Sequence, residues 1–117
     1  MKVSELQGAA LDWAVAKAEE LEVWREPDGI YLCEGGEVGF MFRPSTDWAQ
    51  GGPIIEREVI SLIHPKYDCW TAHCYDKTVD DESYTLDGPT PLIAAMRCFV
   101  ASKLGDEIEV PDELKGE

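Results

Sequence analysis

The sequence predicts an α+β domain: a small antiparallel sheet of about three to five short strands packed against two main helices, near residues 8–21 and 91–104, with a short helical turn near 46–58. Three observations predict it. Two stretches carry apolar residues at three- and four-residue spacing, as one face of a helix requires. Several short β-branched or aromatic runs are separated by turn residues. The strands also lie grouped between the helices, without the regular βαβ alternation of a parallel sheet. The predicted domain covers residues 1–105, and residues 106–117, "DEIEVPDELKGE", form an acidic C-terminal tail with one short strand over 107–110.

The first helix rests on Leu6, Ala10, Trp13, Ala14, Ala18 and Leu21, with Ser4 and Gln7 spaced as a capping box. Gly8 weakens the first turn, so regular helix is expected from about Gly8 or Ala9. Pro27-Asp28-Gly29 is turn chemistry between short β-prone runs at 22–25 and 30–33, and Gly35-Gly36 punctuates again before Val38, Phe40 and Phe42 alternate. Residues 59–63 and 69–75 read as two strands joined by a turn at 65–68, with Trp70, Ala72 and Cys74 on one face. Residues 77–91 read as a polar loop. It ends where Thr90 caps a helix and Pro91 takes its first position. That helix, "PLIAAMRCFVASKL", is apolar almost all round and stops at Gly105, which marks it as the buried centre of the domain. Its small residues Ala94, Cys98 and Ala101 permit close approach by a sheet, or on any exposed part by a second copy in a homodimer.

At 117 residues the chain is long enough to bury a core without a disulfide or structural metal. Cys33, Cys69, Cys74 and Cys98 are irregularly spaced and read as reduced thiols acting as small hydrophobes. The N-terminus has no signal-peptide pattern and no stretch reaches membrane-spanning length, so a soluble, cytoplasmic protein without a membrane partner is expected. The net charge is −14, from 24 acids and 10 bases. Such a surface repels phosphate backbones and anionic lipid, which disfavours direct nucleic-acid binding and favours basic partners.

Chemistry-bearing motifs are sparse. His64, Cys69, His73 and Cys74 look like a metal cluster, but on a strand His73 and Cys74 point to opposite faces, while Cys69 and His73 stand about 13 Å apart. Zinc needs its ligands converging on one ion, so no metal site is read. There is no G-x-S-x-G elbow, no phosphate loop after Gly51-Gly52, and no cofactor motif. A Cys69–His64 pair across the turn is geometrically conceivable but nothing else supports it. The residues give no warrant for an enzyme.

The densest stretch is "STDWAQGGPIIERE", residues 45–58. As structure, Ser45 or Thr46 caps a helical turn over 47–50, Gly51-Gly52-Pro53 breaks it, and Pro53 starts a second turn that faces Ile54 and Ile55 inward. As function, Asp47, Trp48, Gln50 and Arg57 line a recognition surface, since loops on a rigid scaffold often carry binding.

That stretch, together with "GPTPLIAAMRCFVASKLGDEIEVP" and the N-terminal "MKVSELQGAALDWAVAKAE", resembles the NinX-like family of small phage and prophage proteins. The resemblance spans nearly the whole chain; residues 22–43 and the hairpin region are its least typical parts. It implies a phage or prophage origin and expression inside a bacterial host. The family carries no assigned activity, so the resemblance brings no catalytic residues.

Two classes of function follow. One is a non-enzymatic accessory protein that binds a host or phage protein; in its sharper form, acids stand in for DNA phosphates to occupy a host DNA-binding protein. The other is a small ligand-binding protein or enzyme with a pocket near Trp48 and Arg57, flanked by Asp47 or Glu56.

Overall fold

The computed structural model describes residues 1–64, 69–75 and 83–114. Along the chain run α1 (Gly8–Ala18), β1 (Val23–Glu26), β2 (Gly29–Glu34), β3 (Glu37–Met41), α2 (Trp48–Glu58), β4 (Ser61–Ile63), β5 (Trp70–Tyr75), β6 (Ser83–Gly88) and α3 (Pro91–Leu104), with 3-10 turns at Val3–Glu5 and Asp112–Leu114. The α+β class holds. The described strands divide into two antiparallel sheets, β1-β2-β3 and β4-β5-β6.

α3 is the centre. Thr90 caps it by accepting from the Ile93 N–H at 3.1 Å, Pro91 opens it, and Gly105 closes it. Ala94, Cys98 and Ala101 are all buried, and a sheet is their partner: the Sγ atoms of Cys98 and Cys74, on β5, lie 3.1 Å apart. One side of α3 covers β5 and β6, while α1 packs on α3 and also backs β2. Arg97, nearly buried, ties the layers together, its Nε donating to Leu6 O at 2.7 Å and its Nη1 to Asp87 O at 2.8 Å.

Several boundaries differ from the sequence reading, each for a physical reason. Ser4 makes no capping box; Val3–Glu5 forms a 3-10 turn that buries Val3, and Gln7 precedes α1 without a side-chain cap. Leu11, Ala14, Val15 and Ala16 are the fully buried residues of α1, whereas Trp13 is only half-buried and Leu21 lies beyond the helix. Val59 is not the start of a strand. It ends α2 in the left-handed region at φ 55°, an uncommon place for a β-branched residue, and is exposed. Ser83–Gly88, expected as loop, is a strand whose Tyr84 and Leu86 turn inward while Ser83, Thr85 and Asp87 turn outward. The turn expected at 65–68 and the first part of the loop expected from 77 lie outside the described residues.

Residues 106–114 are docked along the N-terminus. Met1 and Ile108 exchange backbone hydrogen bonds, Val3 N–H donates to Asp106 O at 2.8 Å, and Lys2 bridges Glu107. Val110 and Leu114 then enter the core. Instead of a strand over 107–110, the pairing is this single bridge. Among the described residues no helix is long and apolar enough to cross a membrane.

Candidate functional site

The stretch at 45–58 is built mainly by local hydrogen bonding. Pro44 and Ser45 are buried, and Ser45 N–H donates to Asp12 Oδ1 of α1 at 2.9 Å. Burial pushes the Asp12 carboxyl up to about 6, against the opposing pull of Ser45's hydrogen bonding and the charge of Arg43. Asp47, not Ser45 or Thr46, is the helix cap; its Oδ1 accepts from Ala49 N–H at 2.9 Å.

Gly51-Gly52-Pro53 does not break the helix: α2 runs unbroken through it. Pro53 forfeits one intrahelical bond, to the Ala49 carbonyl. Packing outweighs that loss. Ile54 enters the core, and Gly51 lies so close to Pro44 O and Leu92 that an added Cβ would meet them at 2.4 and 2.6 Å.

The four residues expected to form a recognition surface do not converge. Gln50 is a clamp, its Oε1 accepting from Arg43 N–H at 2.7 Å and its Nε2 donating to Met41 O at 2.9 Å. Arg57 binds both oxygens of Glu19 at 2.7 and 3.1 Å and Glu58 at 2.8 Å, with its guanidinium 5.7 Å from the Phe99 ring centre. Glu58 also faces Lys103 at 3.7 Å. Trp48 alone among the four presents a large apolar surface, being 53% exposed. It and Arg57 lie nine residues apart on α2, half a turn out of phase and about 13 Å along the axis. They do not wall one pocket. A cleft of about 630 Å³ lies elsewhere, bordered by Ser4, Thr85, Asp87 and Arg97.

Sequence reading missed a second surface, the outer face of the first sheet. Register puts Trp24, Tyr31 and Met41 in one cross-strand row and Cys33 opposite Val38 on the same face. Their neighbours Val23, Ile30 and Leu32 turn inward onto the core. A shallow cleft of about 400 Å³ runs between Glu22, Trp24, Cys33 and Val38. Trp24 and Val38 are more than half exposed, as is Phe40 at the irregular step in the β2–β3 pairing. Two rings here are tethered: Trp24 Nε1 donates to Glu26 Oε2, and Tyr31 OH to Asp28 Oδ2 at 2.9 Å. The Asp28 carboxylate in turn raises the Tyr31 phenol above its ordinary value. The legible signal was the pair of tight turns that fix this register, Pro27-Asp28 between Glu26 and Gly29, and Gly35-Gly36 between Glu34 and Glu37. Both glycines have positive φ, as a type I′ hairpin turn demands.

Among the described residues no three His, Cys, Asp or Glu side chains are grouped so as to hold a metal ion. His73 Nδ1 instead meets Thr85 Oγ1 at 2.9 Å, His64 lies against Trp70, and Cys74 and Cys98 are core residues. The sequence pattern of the family described as "Bacteriophage P22, NinX" matches residues 2–103. Among curated proteins, none matches the chain.

Proposed function

Because the chain belongs to the bacteriophage P22 NinX family, we propose that it is a phage accessory protein that acts in the bacterial host cytoplasm by binding another protein rather than by catalysis. One observation carries the reading: the first sheet turns an apolar, aromatic face to solvent, with Trp24 and Val38 each more than half exposed. The outer faces of antiparallel sheets are ordinarily polar, and contiguous exposed apolar surface marks interaction sites. Trp48 is a second contact in this reading, with Asp47 and Gln50 holding the helix that presents it and Arg57 fixing that helix to α1 through Glu19.

The test is capture from host lysate by the tagged wild type and by its Trp24→Ala and Trp48→Ala variants, with captured proteins identified by mass spectrometry. A partner retained by the wild type and lost with Trp24→Ala is expected, with a smaller loss for Trp48→Ala. A wild type that reproducibly captures nothing, or a captured set indifferent to both substitutions, overturns the reading.

A further inference from the structure

The outer face of the first sheet is selective by charge as well as by shape. From Glu20 to Phe42 the sequence holds six acids against one arginine. Glu22 borders the cleft beside Trp24 and Val38, Glu26 and Asp28 hold the indole and the phenol, and Glu37 opens β3. The arginines that border this sheet are engaged elsewhere: Arg25 pairs across the inner side with Ile30 and reaches Glu113 at 3.3 Å, and Arg43 faces Asp47 at 4.0 Å. The result is an apolar centre with an acidic rim, on a molecule whose net charge is −14.

Resting on the interaction reading above, we propose that this face docks a segment of a partner protein that carries apolar anchor residues flanked by lysine or arginine. Charge decides the occupant. A nucleic acid or an anionic membrane meets repulsion from the rim, and a second copy of this chain brings its own excess of acids against it. A basic segment gains attraction from Glu22, Glu26 and Glu37 while its apolar residues cover Trp24, Cys33 and Val38. The face is also prepared for binding. The contacts of the indole with Glu26 and of the phenol with Asp28 reduce the side-chain freedom lost on association. Tryptophan is among the residue types most enriched at binding hot spots, and Trp24 stands exposed on the edge strand of this face, beside Tyr31 and Cys33 of the central strand.

The experiment titrates the ¹⁵N-labelled full chain with a capped decapeptide bearing a central Leu-Phe pair between lysines, and with a comparator in which Ser-Ser replaces Leu-Phe. The expected result is amide shifts concentrated between residues 22 and 41, affinity at least about tenfold above the comparator, and a further loss of about tenfold with Trp24→Ala. The Glu22→Gln/Glu26→Gln double variant weakens the same peptide more than Glu56→Gln/Glu109→Gln, which changes net charge equally at a distance. Shifts scattered over the whole acidic surface, equal binding of the two peptides, or indifference to Trp24→Ala overturns the proposal. If the peptide fails while a lysate partner still depends on Trp24, the basic-segment inference falls and the interaction reading stands. If lysate capture is also indifferent to Trp24 and Trp48, both fall.

Discussion

The two three-stranded sheets share one antiparallel strand order, yet their outer faces are opposites. In the second sheet Ser61, His73 and Thr85 form one outward row, and Thr71 and Asp87 lie in the next. Those groups satisfy one another: Thr71 Oγ1 donates to Asp87 Oδ1 at 2.7 Å, and His73 meets Thr85. Ile63 and Tyr75 are the apolar exceptions on that face. The first sheet places Trp24, Tyr31, Met41, Cys33 and Val38 in the equivalent outward positions. The inner face of the second sheet is buried on α3, while that of the first is covered in part, with Ile30 buried and Val23 and Leu32 half-buried toward α1. The second sheet thus pairs its central polar groups with one another and leaves Ile63 and Tyr75 uncovered, whereas the first turns mainly apolar and aromatic residues to solvent. The contrast separates residues that serve stability from those available for contact.

The largest effect is expected on the inner side of the second sheet. Gly88 lies against the start of α3, where an added Cβ would meet Ala94 N at 2.6 Å and Ala94 Cα at 3.0 Å. The obstacle is backbone, so no side chain can yield to it. Gly88→Ala should cost about 3 kcal/mol or more in denaturant unfolding. A cost under about 1 kcal/mol would mean that α3 does not grip this sheet as described.

Asp12 sharpens the comparison from the other side of the core, since it links α1 to the turn that follows the first sheet. Its carboxyl rises from 3.8 to about 6 in the fold, chiefly through burial. The folded state therefore holds this proton more tightly than the unfolded chain. Its contribution is present in full below about pH 4 and is lost as pH rises through about 6. Asp12→Asn keeps an acceptor for Ser45 N–H without the buried charge. The variant should gain on the wild type between about pH 4 and 7.5, by a margin approaching about 3 kcal/mol. A margin that stays constant across that range would contradict the buried, proton-hungry carboxyl.

A smaller effect is expected from the finished outer face. A double-mutant cycle of Thr71→Ala and Asp87→Ala should return a coupling of about 0.5 kcal/mol, the size of an exposed cross-strand pair. Zero coupling would mean that the two rows are polar without being mutually supporting.

How much of this was legible in the sequence depends on where the deciding contact lies. α3 was readable to the residue because Thr90, Pro91 and Gly105 act locally on the chain ends of one helix. β6 was readable in principle from the alternation of Tyr84 and Leu86 with Ser83, Thr85 and Asp87. Its polar outward residues and the Gly88-Pro89 that follows give it the composition of a loop. α2 was misjudged because the local breaking tendency of Gly51-Gly52-Pro53 loses to burial of Ile54 and the close seat of Gly51 on Pro44. The candidate site was the least legible part. Asp47 and Gln50 look like surface chemistry in the sequence, but their partners are backbone groups of the same segment or of residues nearby. Trp24, Tyr31 and Val38 become one surface only when two hairpin registers are combined across a pairing irregularity.

The smallest expected change in stability is also the one that isolates the open face. Val38 is 55% exposed and lies opposite Cys33 on the uncovered side. Val38→Thr keeps the β-branched shape that suits a strand and replaces one methyl by a hydroxyl that water can solvate. Unfolding free energy should stay within about 0.5 kcal/mol of the wild type. Fluorescence of a dye that reports exposed apolar surface should nonetheless fall, and binding of the Leu-Phe decapeptide should weaken by a few-fold. The same exchange made inward, Val100→Thr in the fully buried centre of α3, should cost about 2 kcal/mol because its hydroxyl enters the core. If Val38→Thr were as costly as Val100→Thr, the face would be covered by the protein's own structure and unavailable to a partner. If it changed neither dye nor peptide binding, Val38 would lie outside the contact, leaving Trp24 and Tyr31 to define it.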